Sequence, residues 1–437
     1  MNESTQSVSS MLLSLGGSPA PIITSILQAR PASIIFFVSP GTYQDVTRTI
    51  LPAIMGSLGG IPPHEIVRTP DEQDLGQSTF ALLREVPAAM HKMQAAGDWP
   101  ELVDFTGGTK VMSAAVVWAS SRYPCRFSYV GSNTPDARSK GGLGIVIDGN
   151  ERCLITANPW NELAWFEIND AVALFNAGQY ANATRQIKAV AGKVTDPVHK
   201  RLINLMGELW DAYTQWDVFN HQRAIGCFKN ALIPLKDLAH QGELLIPGLT
   251  AFVEGSEECY LRLQGIMRNQ RQDLSWELIH DLVANAGRRL HLENKNEDAT
   301  ARLYAAIEKT GKHALKLRHG IDNSKCRPEQ LPEHLQAEYT RKYLDAKSKV
   351  LKFGLQATFD LLIALQDPIA TQYQAVREQL EKLLPLRNDS ILGHGTTPIS
   401  SENCLNLLNL TLALLGLTET DLTHFPAVSP ASITQIA

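Results

Sequence analysis

Up to about residue 130, short apolar runs alternate with longer segments of helical periodicity. Residues 11–15, 33–38, 65–68, 102–105 and 126–130 have the length and composition of strands, and 21–29, 43–58, 78–96 and 110–122 repeat their apolar positions as helices do. This alternation predicts an open α/β domain, a mostly parallel sheet with right-handed crossovers. Next, the apolar runs 143–147 and 152–155 flank Asp148-Gly149-Asn150, a signal for a β-hairpin. Beyond Pro159 the strand signals stop. Residues 167–177 read as a helix ended by Gly178, with a second helix to about Val190; no further copy follows at a fixed period, so no repeat array is expected. The stretch to about 295 reads as a helical connector, broken at Pro234 and Pro247, with Trp210, Trp216, Phe219 and Phe228 as core. From Asp298 to Leu417 the pattern predicts an all-α domain: Leu303, Ile307 and Leu315 at helical spacing, one long amphipathic helix over 342–365, and a buried closing helix over 405–415. The expected organisation is therefore 1–157, 158–297 and 298–437.

Composition narrows the class. A chain of 437 residues, 44% hydrophobic and 19% charged, can form two or three cores of an ordinary soluble protein. No run of 18 apolar residues occurs, so no transmembrane helix is expected, and the polar first ten residues lack the basic start of a signal peptide. A cytoplasmic location with no membrane partner is the expectation. The 6 cysteines are scattered without any CxxC pair, which suits reduced thiols rather than zinc or disulfides. A net charge of -5 gives no global attraction to nucleic acid, so any RNA contact has to be local. The basic residues between Lys309 and Lys352 read mainly as a solvated helix face.

Glycine gathers where the predicted strands end. Gly16-Gly17-Ser18-Pro19 follows the first, Ser39-Pro40-Gly41-Thr42 the second, and Thr106-Gly107-Gly108-Thr109-Lys110 the fourth. In open α/β folds, ligands bind at these carboxyl ends, where bare backbone and helix N-termini suit phosphate. There is no GxxxxGK[ST] and no GxGxxG after the first strand, which disfavours a P-loop or dinucleotide enzyme. A phosphate-bearing ligand remains the best reading of the three loops.

A second cluster lies at Arg387-Asn388-Asp389-Ser390-Ile391-Leu392-Gly393-His394-Gly395. Arg carries a permanent charge that suits phosphate, and His titrates near neutrality. The same Arg-to-His gap recurs at Arg84 to His91, inside a helical pattern, and at Arg327 to His334, interrupted by Pro328 and Pro332. Only Arg387 is followed by Asn, with its His between glycines. The bland alternative is a helix-capping Asn-Asp-Ser beside a surface His.

Together these segments resemble a known architecture. Residues 1 to about 157 look like a CARF domain, the Rossmann-like sensor of type III CRISPR systems, whose DxTGGTKxM element is similar to Asp104-Phe105-Thr106-Gly107-Gly108-Thr109-Lys110-Val111-Met112. The segment from Arg387 to Gly395 is similar to the Rx4-6H element of HEPN ribonucleases, and the two occur in the order of CARF–HEPN effectors. The resemblance implies a homodimer that pools two Arg and two His to cut single-stranded RNA, activated by a cyclic oligoadenylate, the four-membered ring favoured over the six-membered. Ligand contacts would fall to Gly16, Gly17, Ser18, Pro19, Ser39, Gly41, Thr42, Thr106, Gly107, Gly108, Thr109 and Lys110, and the catalytic roles to Arg387, Asn388 and His394. Some CARF domains also linearise their ligand slowly, for which Lys110, Ser18 and Thr109 are the residues to suspect.

RNA carries its own nucleophile, so Arg and His suffice in principle: His as acid or base, Arg on the non-bridging oxygens. The products expected are a 2′,3′-cyclic phosphate and a 5′-OH. No Asp, Glu and His constellation with metal-ligand spacing lies near residue 390, so neither metal nor cofactor is expected. Two other readings compete: a non-catalytic cyclic-nucleotide sensor with a helical dimerisation module, and a nucleotide-dependent metabolic enzyme. No basic recognition helix is evident, so stable DNA binding is not expected.

Overall fold

The computed structural model describes residues 7–132, 151–194, 196–240, 248–269 and 274–429. Six strands, β1 (Met11–Ser14), β2 (Ile34–Val38), β3 (His64–Arg68), β4 (Leu102–Asp104), β5 (Arg126–Ser132) and β6 (Glu151–Ala157), form one sheet in the order β3-β2-β1-β4-β5-β6. The first five are parallel to their neighbours, and β6 runs antiparallel to β5. Side chains alternate between two cores. Leu12, Ile35, Phe37 and Val103 meet Val86, Met90 and Val116 from helices Leu75–Lys92 and Lys110–Ser120. Met11, Leu13, Ile34 and Phe36 meet Ile22, Ile26 and Ile54 from Ala20–Ala29 and Leu51–Leu58. Helices cover both faces, which is why these strands read as unbroken apolar runs. Strand order reverses between β1 and β4, so the loops after these two strands lie side by side at the carboxyl edge, the usual ligand position in such folds.

The predicted hairpin lies only partly within the described residues. The second of its runs is β6, which pairs with β5, Tyr129 opposite Leu154, while the first run and its Asp-Gly turn lie outside the described residues. The segment 43–58 is helical throughout but includes a π-turn at Val46–Ile50.

The rest is helical, and the chain divides into two compact units, 1–166 with 193–196, and 167–192 with 197–437. Gly178 ends helix Trp165–Asn176 with φ +77°. Trp210, Trp216 and Phe228 are fully buried, whereas Phe219 is partly exposed. Pro234 does not break the connector: it sits inside helix His221–His240, where the buried Ala231 and Leu235 hold the helix together across the missing donor. Pro247 lies outside the described residues. The long helix expected over 342–365 is two helices, Glu333–Tyr343 and Leu355–Ala364. Between them Asp345 accepts from the amide and hydroxyl of Ser348 at 2.8 and 2.6 Å, a local turn that competes with helix. Leu351 then pairs as a bridge with Cys326. Helix Trp276–His291, which the pattern assigns to the connector, supplies Ile279, Val283 and Leu290 to the same core as Leu303, Tyr373, Leu380 and Leu408. All six cysteines are free thiols, and no helix among the described residues is long and apolar enough to cross a membrane.

Helix Pro368–Asp389 is anchored at its start by one carboxylate. Asp367, with a fully buried side chain, accepts from the Ile369 amide at 3.0 Å, from Arg318 at 2.7 and 2.6 Å, and pairs with His319 at 2.8 Å. Burial opposes its charge, but these partners outweigh it and hold the carboxyl below its ordinary 3.8. A carboxyl with a depressed folded pKa contributes its full stability above the unfolded value and loses it as pH falls through the folded one. Asp367→Asn should therefore cost about 1–3 kcal/mol at pH 7, the worth of hydrogen bonds to charged groups that stay partly hydrated. In denaturant titrations from pH 7 to pH 2, the variant should lose less stability with acid than wild type does. An equal acid slope in both would show that Asp367 is not held in this way.

Candidate functional site

At the carboxyl edge of the sheet, two glycine loops interlock. An ideal Cβ on Gly107 would lie 2.3 Å from the Ser14 carbonyl oxygen, and one on Gly16 would lie 2.6 Å from the Gly108 nitrogen. Gly108 has φ +87°, a conformation that side chains resist. These glycines are thus required by the contact of one loop with the other. Gly17, by contrast, has nothing within 4 Å of its Cβ position and is exposed, as is Ser18.

A buried carboxylate ties the loops to the sheet. Asp104 accepts from the Thr106 amide at 2.9 Å, Ser25 Oγ at 2.6 Å and Ser128 Oγ at 2.9 Å, and burial pushes its pKa up against those three donors. The Gly107 carbonyl takes Ser14 Oγ at 2.6 Å and Ser113 Oγ at 3.0 Å. Thr106 Oγ1 accepts from the Val130 amide at 2.8 Å. Thr109 caps helix Lys110–Ser120 by accepting from the Met112 amide and donates its own proton to the Glu72 carbonyl. Thr42 accepts from the Ser39 amide at 3.1 Å, which closes the loop after β2 around the exposed Gly41. Pro19 precedes helix Ala20–Ala29 as its cap residue. Lys110 opens its helix exposed, with no ion-pair partner among the described residues. The structure thus gathers the segments 16–18 and 106–110 at one place. Ser39 and Thr42 join them through the bond from Thr42 to the Leu15 carbonyl. Asp104 belongs to the same motif but acts below the surface. Its partners Ser25 and Ser128 carry no signal of their own in the sequence.

The second cluster forms where helix Pro368–Asp389 ends. The last carbonyls of a helix lack partners within it. Here the chain folds straight back to supply them: the His394 amide donates to the Asn388 carbonyl at 2.8 Å, Thr397 N to Asp389 O at 2.9 Å, and Ser390 Oγ to Arg387 O at 2.8 Å. Glycine permits the return. A Cβ on Gly393 would sit 2.2 Å from Arg387 O, and one on Gly395 2.1 Å from Asp389 O. Arg387 and Asn388 occupy the final turn, with Arg387 Nη1 donating to Asn388 Oδ1 at 3.1 Å, and His394 is exposed beside them. The Arg387 guanidinium lies 5.3 Å from the centre of the Tyr304 ring, a cation–π contact that limits its swing. Tyr304 is 83 residues upstream on helix Asn296–His319, beyond the reach of any local motif. His91 and His334, the other histidines at this spacing from an arginine, are exposed on separate helices.

One trio among the described residues, Glu208, Asp211 and Cys227, has donor atoms close enough for a metal, but Asp211 already pairs with Lys188 and Arg223. The Arg387–His394 segment contributes nothing to it.

Glycine substitutions separate scaffold from surface. Gly107→Ala should cost about 1–3 kcal/mol of stability from overpacking, and Gly17→Ala under about 0.5 kcal/mol, measured by denaturant unfolding. Gly393→Ala should open the return loop, seen as faster amide exchange at His394. Equal effects of the alanines at 17 and 107, or unchanged exchange, would contradict this geometry.

Comparison with known proteins finds two family matches, both in the helical part of the chain. Residues 267–417 match the Csm6 HEPN domain family, and 163–255 the Csm6 6H domain family. Among solved structures, Enterococcus italicus Csm6 bound to cyclic hexa-2′-fluoro-hexa-dAMP matches 95% of this chain and 96% of its own at 11% identity, with a TM-score of 0.51. Can2 from Sulfobacillus thermosulfidooxidans in complex with cyclic tetra-adenylate matches 53% of this chain and 68% of its own at 14% identity, with a TM-score of 0.23. The first is a likeness of fold along nearly the whole of both chains, and the second is too slight to argue from. No protein of curated function matches.

Proposed function

The chain belongs to the CARF–HEPN ancillary effectors of type III CRISPR systems, with the 6H and HEPN domains of Csm6 in its helical part, and on that premise we propose that it is a single-stranded RNA endoribonuclease switched on by a cyclic oligoadenylate. The observation that carries the reading is the return loop, which fixes His394 against the helix turn bearing Arg387 and Asn388. In the reaction, a base takes the proton from a ribose 2′-OH, and that oxygen attacks the adjacent phosphorus. The 5′-oxygen leaves as it gains a proton, giving a 2′,3′-cyclic phosphate and a 5′-OH. His394 would act as acid or base, Arg387 would hold the non-bridging oxygens as their charge grows, and Asn388 would orient the phosphate or the histidine. One histidine per chain is short of an acid and a base together, and a two-fold homodimer supplies the second. No step calls for a metal.

On this reading the sensor is 1–157 and the connector begins at 158, while the ribonuclease domain starts upstream of the expected 298, because helix Trp276–His291 shares its core and the HEPN match begins at 267. The ligand would lie over Gly17, Ser18 and the 106–110 loop, with Lys110 and its helix N-terminus on one phosphate. Binding would favour one arrangement of the paired ribonuclease domains. The family resemblance alone favours a ring of four adenylates, whereas the ring in the Enterococcus italicus structure has six. Ser18, Thr109 and Lys110, all exposed, are also the groups for any slow opening of the ring.

His394→Ala and Arg387→Ala should each lower RNA cleavage by ~10²–10⁴-fold while the protein stays folded and dimeric. His334→Ala should cleave normally, and EDTA should leave the wild-type rate unchanged. Near-normal cleavage by both variants would refute the assignment, and chelation reversed by Mg²⁺ or Mn²⁺ would refute the metal-free chemistry.

Calorimetry with rings of three to six adenylates measures the sensor directly. Lys110→Ala should weaken the preferred ring at least about tenfold, the loss of one charge-assisted contact, and should remove activation with Arg387 and His394 intact. Binding of no ring, or equal binding by the variant, would turn the reading toward a different ligand.

A further inference from the structure

Beside the proposed nuclease residues lies a cavity of about 500 Å³, walled by Tyr304, Tyr343, Gln356, Asp360, Glu381 and Asn388. Asn388 belongs both to this cavity and to the turn that carries Arg387, so the space opens within reach of a nucleotide bound there. Its walls come from four helices: Asn296–His319, Glu333–Tyr343, Leu355–Ala364 and Pro368–Asp389.

The chemistry of the walls selects an occupant. Arg377 donates to Asp360 Oδ1 at 2.9 Å and to Glu381 Oε1 at 2.8 Å, which fixes both carboxylates and leaves the second oxygen of each as an acceptor without a partner among the described residues. Of the lining residues only Asp360 and Glu381 carry charge, both negative, which favours a group that donates. Tyr304 and Tyr343 are half-buried and offer ring faces, and Tyr343 is braced at 5.5 Å by Phe353. Aromatic faces with fixed acceptors are how proteins take up an unstacked base. Among the bases, guanine presents two adjacent donors on its pairing edge, N1–H and N2–H. Adenine and cytosine present one donor beside an acceptor, and uracil one donor between two carbonyls. Only guanine can donate twice from its pairing edge, one hydrogen bond to the free oxygen of each carboxylate, with no acceptor facing them.

We propose that this cavity is a guanine-recognition subsite that sets the base preference of RNA cleavage at Arg387 and His394. The proposal rests on the ribonuclease reading for its effect on cleavage, but not for binding of the base. Asp360 and Glu381 are specificity residues, and Tyr343 provides a stacking wall.

Two measurements on the full chain separate the possibilities. In calorimetry, guanosine should bind more tightly than cytidine or uridine, and Asp360→Asn and Glu381→Gln should each remove that preference. Glu378→Gln, whose exposed carboxylate pairs with Lys382 on the same helix outside the cavity, should keep it. Equal binding of the nucleosides by wild type, or an unaltered preference in both cavity variants, overturns the subsite whatever the RNA assay gives. In the RNA assay, uridine-rich oligonucleotides carrying one G, A or C are compared by kcat/KM with activating ring present. The ratio for G over C should be about tenfold or more in wild type, the worth of one bidentate base contact, and should fall near one in the two variants. Selective guanosine binding without any RNA cleavage would support the subsite and refute the ribonuclease reading. Cleavage with no base preference would do the reverse.

Discussion

Both candidate sites are built where one stretch of backbone lies directly on another, with no room for a Cβ between them. Gly107 packs on the Ser14 carbonyl and Gly16 on the Gly108 amide, while Gly393 and Gly395 pack on the carbonyls that end helix Pro368–Asp389. The second contact also answers a need of the helix, because the returning amides of His394 and Thr397 satisfy oxygens that the helix leaves unpaired. Backbone is thereby used up in holding shape. The side chains of Lys110, Asn388 and His394, beside these contacts, are left exposed.

Two buried aspartates fix these loops, and their environments drive them in opposite directions. Asp104 has three neutral donors and no cation, so burial dominates and its pKa rises. Asp367 lies nearer the surface and has Arg318 and His319, so its pKa falls. The first joins β4 to helix Ala20–Ala29 and β5, and the second holds the start of the helix whose far end carries Arg387. Residue type alone predicts neither direction. Depth of burial and partner charge decide it together.

The sheet is legible in the sequence because both faces are covered, which leaves long apolar runs between glycine-marked loops. The Arg387 segment is legible because its chemistry is local. What escapes has a physical reason in each case. The periodicity of 342–365 is broken by the Asp345–Ser348 turn, whose bonds are as short-range as those of the helix it replaces. Pro234 stays within a helix because buried neighbours compensate for one lost donor. Tyr304 and Asp360 reach the cavity beside that turn from helices distant in sequence, so no spacing announces them. The glycines at 16 and 107 are visible as glycines, yet their cause is the neighbouring loop, which only three dimensions reveal.

The central claim joins the two halves: a ligand at the sheet edge controls chemistry at the Arg387–His394 turn. Its most direct test is the initial rate of RNA cleavage by the intact chain as a cyclic oligoadenylate of four or six units is titrated, with the ends of the products identified by mass. The rate should climb from a low basal value and saturate as the sensor fills, and the fragments should end in 2′,3′-cyclic phosphate with 5′-OH partners. A rate that does not respond to either ring, or fragments ending in 5′-phosphate, would contradict the account.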